Sequence, residues 1–207
     1  MEIQLENVAK KFNKEWIFRK LKFRFGHIDN IAIVGPNGSG KSTLLQVIAG
    51  SLLQTEGNIT YLDEGKSIDP DLIYTYLSLV APALSLPDDF TLIEFLKFHF
   101  KFKKLKPGNE IMDLPGIFRL EQAKDKYIKN FSTGMKQRLK LGIAFYADTP
   151  LLMLDEPATN LDTYGFDWYL EEIEKIIKEK MIFVCSNRKE EYEFCEKFVN
   201  ILDFKNN

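Results

Sequence analysis

The chain has no long hydrophobic run. Its strongly apolar stretches, such as Leu151 to Leu154, fall far short of the roughly 18 residues that a membrane span requires. The opening segment, MEIQLENVAKK, lacks the apolar centre of a signal peptide. Both absences predict a cytoplasmic protein that reaches a membrane only through a partner. There is no basic excess either. The 28 Lys and Arg stand against 30 Asp and Glu, a formal net charge of -2, so charge gives no support for nucleic-acid binding. Cysteine is scarce: Cys185 and Cys195 form no metal spacing, and Cys185 in the apolar run MIFVC reads as a buried thiol. Histidine is limited to His27 and His99. No internal repeat, low-complexity tract or linker interrupts the 207 residues. That length fits one large domain, or a core with one inserted subdomain. The hydrophobic share of 45% is ordinary for a protein with a sizeable core.

What is present is an alternation of strand and helix signals. IAIVG (Ile31 to Gly35) is short, apolar and ended by glycine, a buried strand. The helix-like KSTLLQVIAGSLL follows it, and then two strand-like segments, EGNITYLD and LIYTYLSLV. From about Asp88 to Phe145 the pattern is helical. Asp89 or Thr91 is placed to cap FTLIEFLKFHFKFKK, and Ser132 to cap TGMKQRLKLGIAFYA. PLLMLDEP is a strand, the stretch from Leu170 to Lys180 a charged helix, MIFVC a strand, EEYEFCEKF a short helix and VNILDF a last strand. Such alternation predicts an α/β fold with a mainly parallel sheet core. QLENVAKKF and IFRKLKFRF, near the N-terminus, predict an antiparallel β part. The helical middle predicts an inserted helical subdomain, about 88–147, in a single domain spanning 1–207.

Residues 35 to 43 read GPNGSGKST, a match to G-x-x-x-x-G-K-[ST] between a buried strand and a helix. The candidate nucleotide-binding residues are Gly35, Pro36, Asn37, Gly38, Ser39, Gly40, Lys41, Ser42 and Thr43. The glycines let the backbone turn tightly and aim N–H groups at phosphate oxygens. The helix adds its positive N-terminal end. Lys41 supplies a point charge for the β- and γ-phosphates, and Ser42 a hydroxyl for Mg²⁺. Downstream, LLMLDEP puts Asp155 and Glu156 directly after four apolar residues. A buried strand ends in two acids where a cation or proton is handled. In a phosphate-loop enzyme the Asp holds the Mg²⁺ shell, and the Glu polarises the attacking water. A second candidate, DLPG (Asp113 to Gly116), fits the D-x-x-G pattern of GTPases. It does not end an apolar strand, and no N-K-x-D guanine reader accompanies it, so it reads as a turn.

FSTGMKQR (Phe131 to Arg138) resembles the ABC signature, L-S-G-G-Q-x-Q-R; Ser132, Gly134, Gln137 and Arg138 match, while Thr133 and Met135 depart. ATNLD (Ala158 to Asp162) resembles the D-loop of the same family. Phosphate loop, signature, carboxylates and D-loop stand in the family's order, and the resemblance covers about residues 1 to 205. The chain is thus similar to the ATP-binding subunits of ABC transporters. The resemblance implies a P-loop NTPase fold of ABC type, with ATP and Mg²⁺ as cofactors and Glu156 and Lys41 as catalytic residues. It implies a second ATP-binding subunit, identical or not, in a head-to-tail dimer. Each ATP then lies between one phosphate loop and the partner's signature, where Ser132 and Gly134 would bind it. It implies a separate transmembrane permease subunit, which would hold this chain on the cytoplasmic face of the membrane, and no nucleic acid. An aromatic stacks on adenine in the family; Phe12 fits best, with Trp16 as rival, and burial as core is open for both. Two positions depart from the family. Ala81, Pro82 or Ala83 stands where a Gln links Mg²⁺ to the helical subdomain, and Asn187 stands where a His meets the γ-phosphate. Asn187 can donate from its amide but cannot carry charge, which predicts slow hydrolysis. Phe90, Phe95, Phe98, Phe100 and Phe102 read mostly as core, with some left to form the groove for the membrane subunit. Two other readings belong to the same family: a soluble ATPase without transport, and an ATP-gated clamp with little hydrolysis.

Overall fold

A computed structural model of the chain describes residues 1–205. The first strands are β1 (Glu2–Phe12), β2 (Glu15–Phe25) and β3 (Asn30–Val34), followed by α1 (Lys41–Ile48). Next come β4 (Glu56–Asp63), β5 (Lys66–Ile68) and β6 (Leu77–Val80), then helices α2 (Leu92–His99), α3 (Leu114–Ile117) and α4 (Thr133–Tyr146). The chain closes with β7 (Leu151–Asp155), α5 (Thr163–Ile176), β8 (Met181–Cys185) and β9 (Lys197–Asn200).

These strands make two sheets. The antiparallel one runs β2-β1-β4-β5; the other runs β6-β7-β8-β3-β9, and each of its pairs is parallel. Every residue of LLMLD in β7 and MIFVC in β8 is buried, as expected for strands covered on both faces. Alternation divides their side chains. Ile31, Ile33, Met153 and Phe183 pack with α1 and the antiparallel sheet. Ala32, Leu152, Leu154, Ile182 and Val184 pack with residues of α2, α4 and α5. Burying each such Leu or Ile contributes on the order of 1.5–3 kcal/mol, so the sheet is anchored from both sides and its C-terminal edge is held rigidly.

The structure corrects several element readings. LIYTYLSLV is not one strand. Pro70–Thr75 forms a 3₁₀ helix, and only Leu77–Val80 pairs in the sheet. Asp69 caps that helix by accepting from the Asp71 N–H, with Pro70 fixing its first φ. EEYEFCEKF holds no α-helix: Lys189–Glu191 is one 3₁₀ turn, and the chain extends into β9. VNILDF is the end of β9 followed by a 3₁₀ turn, Ile201–Phe204. DLPG is not a free turn but opens the short helix α3, with Leu114 and Pro115 buried. Thr91, not Asp89, caps α2, through a capping box with Glu94. That helix stops at His99, well before Lys104. Helix α1 ends at Ile48, short of Leu53, where Gly50 takes a φ of 70°. Helix α5 covers Thr163–Ile176, earlier than the charge pattern implied, because Asp162 caps it through the Gly165 N–H. Ser132 caps α4 as the sequence predicts.

Candidate nucleotide site

Ligand sites in such folds lie at the C-terminal edge of the parallel strands, and four chain segments meet there. The phosphate loop leaves β3, Asp155 ends β7, Ser186 and Asn187 follow β8, and Ala81 follows β6. The loop curls because Gly35 and Gly40 take φ of 147° and 108°. A Cβ at Gly40 would stand 2.3 Å from Ile17 Cγ2, and one at Gly35 2.7 Å from Ile201 Cγ2, so no other residue fits either place. Gly40 is also the N-cap of α1 and gives no side-chain cap, while the first turn carries no acid. The leading N–H groups therefore stay available to an anion. Ser39 is buried and its hydroxyl has no partner within the protein.

Lys41 is nearly buried, 6% exposed. Its Nζ donates to Gly35 O at 2.9 Å, Pro36 O at 3.2 Å and Asn187 Oδ1 at 2.9 Å. The amide of Asn187 in turn donates to Asn37 Oδ1. The structure thus brings Asn187 directly onto the phosphate loop, as its place after β8 predicts. Asp155 is buried, with Oδ1 lacking a partner. Burial pushes its carboxyl up; the Ser42 hydroxyl opposes that, Glu156 adds to it and Lys41 opposes it. An orphaned buried carboxylate oxygen beside a hydroxyl is the donor set a hard cation takes. No group of three or more His, Cys, Asp or Glu able to hold a metal ion among themselves occurs in the described residues. A Mg²⁺ here would therefore draw its other ligands from phosphate and water.

Glu156 adopts φ 48°, a left-handed turn that redirects the chain at the sheet edge. Its N–H donates to Cys185 O at 2.8 Å, and its carbonyl accepts from Thr159 N–H at 3.1 Å. Thr159 Oγ1 lies 3.5 Å from Glu156 Oε2. Gln137 Nε2 donates to Pro157 O at 2.7 Å. Gln137, in the sequence only a match within the signature, thereby ties α4 to the loop after the carboxylates.

Ser132 is exposed at the start of α4, its Oγ accepting from Met135 N–H at 3.2 Å. A Cβ on Gly134 would lie 3.0 Å from Asn160 O, so the signature segment adjoins the D-loop-like turn. No hydrogen bond or ion pair among the described residues joins Ser132 or Gly134 to residues 35–43. Phe12 is not core: it is 47% exposed at the β1–β2 turn, with Lys10 Nζ 5.0 Å from its ring centre. Trp16 is half-buried, and both Lys11 and Arg19 stack on it. Contact between Ile17 and Gly40 sets this aromatic turn against the phosphate loop. Ala81, Pro82 and Ala83 bring no side-chain donor to the edge of β6.

A family model described as "ABC transporter" matches residues 18–159, more than half of the chain. This chain belongs to the ABC transporter ATP-binding family. It has the P-loop fold of that family's ATP-binding domains, with the two-sheet architecture described above. The Bacillus subtilis linearmycin resistance ATP-binding protein LnrL is 30% identical over 208 residues, 97% of this chain and 66% of that protein. The Nod factor export ATP-binding protein I of a Rhizobium species is 30% identical over 200 residues, again 66% of its length. The chain thus spans just under two thirds of these two relatives. Among solved structures, a putative ABC transporter ATP-binding protein from Pyrococcus furiosus aligns over 99% of this chain and 100% of its own, with TM-score 0.83 and 21% identity. The cassette MJ0796 bound to ADP and Pi aligns over 96% of this chain and 93% of its own, with TM-score 0.80 and 20% identity. These two likenesses concern the fold of the ABC domain.

Proposed function

We propose that this chain is the motor that powers transport through a separate membrane subunit, with export as the direction that the relatives' names favour. One observation carries the reading: Lys41, Asp155, Glu156 and Asn187 converge at one sheet edge, while Ser132, exposed, and Gly134, half-buried, stand at the start of another element, α4. The first group fits a nucleotide bound in this chain, with Ser42 and Asp155 on Mg²⁺ and Phe12 against adenine. Ser132 and Gly134, a helix start with no phosphate loop of its own, fit a nucleotide held by a second ATP-binding subunit. ATP would then close a head-to-tail dimer, and hydrolysis through Glu156 would reopen it. Ser132→Arg is expected to abolish ATP-driven dimerisation, read by light scattering, and to leave ATP affinity of the single chain within about twofold, because a rim charge acts on its partner. A collapse of single-chain affinity would make the segment structural or active within its own chain.

The membrane side of the motor is read from the opposite end of the strands. A cavity of about 430 Å³ there is lined by Tyr74, Phe102, Lys103 and Asp148, among others. Phe102 is 76% exposed and meets Phe98 edge-on at 5.1 Å; of the five phenylalanines only Phe95 is buried, with Phe90 and Phe100 half-buried against the core, so less of the run is core than the sequence predicts. Exposed aromatics rimming a cleft suit an apolar segment of a membrane subunit on the cytoplasmic face. No helix among the described residues is long and apolar enough to span a membrane. Phe102→Glu is expected to prevent co-purification of a multi-span membrane protein while ATPase of the isolated chain stays within about twofold, since exposed substitutions of this kind change stability little. Unaltered co-purification would place the contact elsewhere.

A further inference from the structure

Lys41 carries one contact that a phosphate would have to displace. An ammonium has three donors, and Lys41 spends them on Gly35 O, Pro36 O and Asn187 Oδ1. A phosphate oxygen can pair with Lys41 only in exchange for one of these acceptors. The three are not equal. Gly35 O and Pro36 O are backbone atoms of the loop. Pro36 O also accepts from Ser39 N–H at 3.1 Å, and Gly35 is fixed at a φ of 147° with no room for a Cβ. Moving either would undo the curl of the loop. Asn187 Oδ1 belongs to an exposed side chain, which can leave by rotating about its own bonds. It is the acceptor that gives way. Until it does, the amide is held across the loop. Its Nδ2 donates to Asn37 Oδ1, so one side chain bridges Asn37 and Lys41. Its backbone is bracketed too: Ser186 is buried, and its Oγ accepts from Arg188 N–H at 2.9 Å.

We propose that Asn187 is a specificity-determining residue, whose amide competes with phosphate for Lys41 and so makes the loop favour ATP over ADP. Either nucleotide must displace the amide from Lys41. A γ-phosphate then offers the freed amide N–H an acceptor, which returns part of what was lost. ADP has no γ-phosphate and returns nothing. The competition therefore weakens ADP more than ATP. This rests on the proposed reading of residues 35–43 as the phosphate site, with Asn187 facing the γ-phosphate.

The test is titration of ADP and of a non-hydrolysable ATP analogue, each with Mg²⁺, into the wild type, Asn187→Ala and Asn187→Asp. Asn187→Ala removes the competitor. Its ADP affinity is expected to rise about tenfold, the scale of one hydrogen bond to a charged group. Its affinity for the ATP analogue should stay within about threefold of the wild type, because the lost γ-phosphate contact offsets the gain. Asn187→Asp gives Lys41 a charged acceptor, a stronger competitor, and should weaken ADP about tenfold. An amide that only shaped the loop would give the opposite sign in Asn187→Ala, weaker binding of both nucleotides. A second readout needs no nucleotide: by NMR, the Lys41 ammonium protons should exchange with solvent faster in Asn187→Ala than in the wild type. Melting midpoints should agree, since an exposed residue is changed. ADP affinity unchanged or lowered in Asn187→Ala, a rise equal for both nucleotides, or unaltered ammonium exchange overturns the assignment. Lys41→Ala separates failure of the site itself. If that variant binds both nucleotides as the wild type does, the loop does not hold phosphate, and the assignment falls with it.

Discussion

Lys41→Ala is expected to abolish ATP binding at micromolar nucleotide. The Lys41 ammonium is nearly buried and held by Gly35 O, Pro36 O and Asn187 Oδ1. Three contacts saturate its three donors, so the charge stands in one place with little freedom to lose when phosphate arrives. No other Lys or Arg falls within residues 35–43 or follows β7 before Asp162. Removing one partner of a buried hydrogen-bonded charge pair costs about 2–5 kcal/mol, which is roughly 30-fold to 4,000-fold in affinity. Titration with a fluorescent ATP analogue reads it. Affinity within about twofold of the wild type would mean that the loop does not hold the phosphates.

Glu156→Gln is expected to keep ATP and lose turnover. The left-handed turn at Glu156 is set by backbone bonds to Cys185 O and from Thr159 N–H. An isosteric amide leaves those bonds alone. What it removes is the negative oxygen that accepts or orients a proton of the attacking water, a loss of about 10²–10⁴-fold in rate. Bound ATP then persists, and with it the closed dimer. Steady-state phosphate release and sedimentation in MgATP measure the two halves. A variant that turns over at the wild-type rate would show that the carboxylate acts elsewhere.

The parts of this site most legible in the sequence were those where backbone geometry forces residue identity. Gly35 and Gly40 have no room for a Cβ, and such positions announce themselves. Strands β7 and β8 were legible for a related reason: burial on both faces leaves only apolar choices, so their ends, and Asp155 with them, stand out. Asn187 was singled out by its position at such an end, and it lies against the phosphate loop. Elements whose identity depends on distant contacts were harder. LIYTYLSLV has the apolar density of a strand, but Pro70 and the Asp69 cap commit its first half to a 3₁₀ helix. EEYEFCEKF has a helical pattern, yet the demand of β9 for extended chain overrides it. Gln137 was legible as part of the signature, but its tie within the chain was not: Pro157, whose carbonyl it meets, lies far along the chain, and only the fold brings them together.

The most direct test of an ATP-hydrolysing site at this sheet edge is one single-turnover experiment with radiolabelled ATP and Mg²⁺. It follows protein-bound ATP and released phosphate in the wild type, Lys41→Ala and Glu156→Gln together. Wild type should bind ATP and convert it to ADP and phosphate. Lys41→Ala should bind none, and Glu156→Gln should retain uncleaved ATP. Cleavage in Glu156→Gln at the wild-type rate, or ATP retained by Lys41→Ala as by the wild type, would contradict the account.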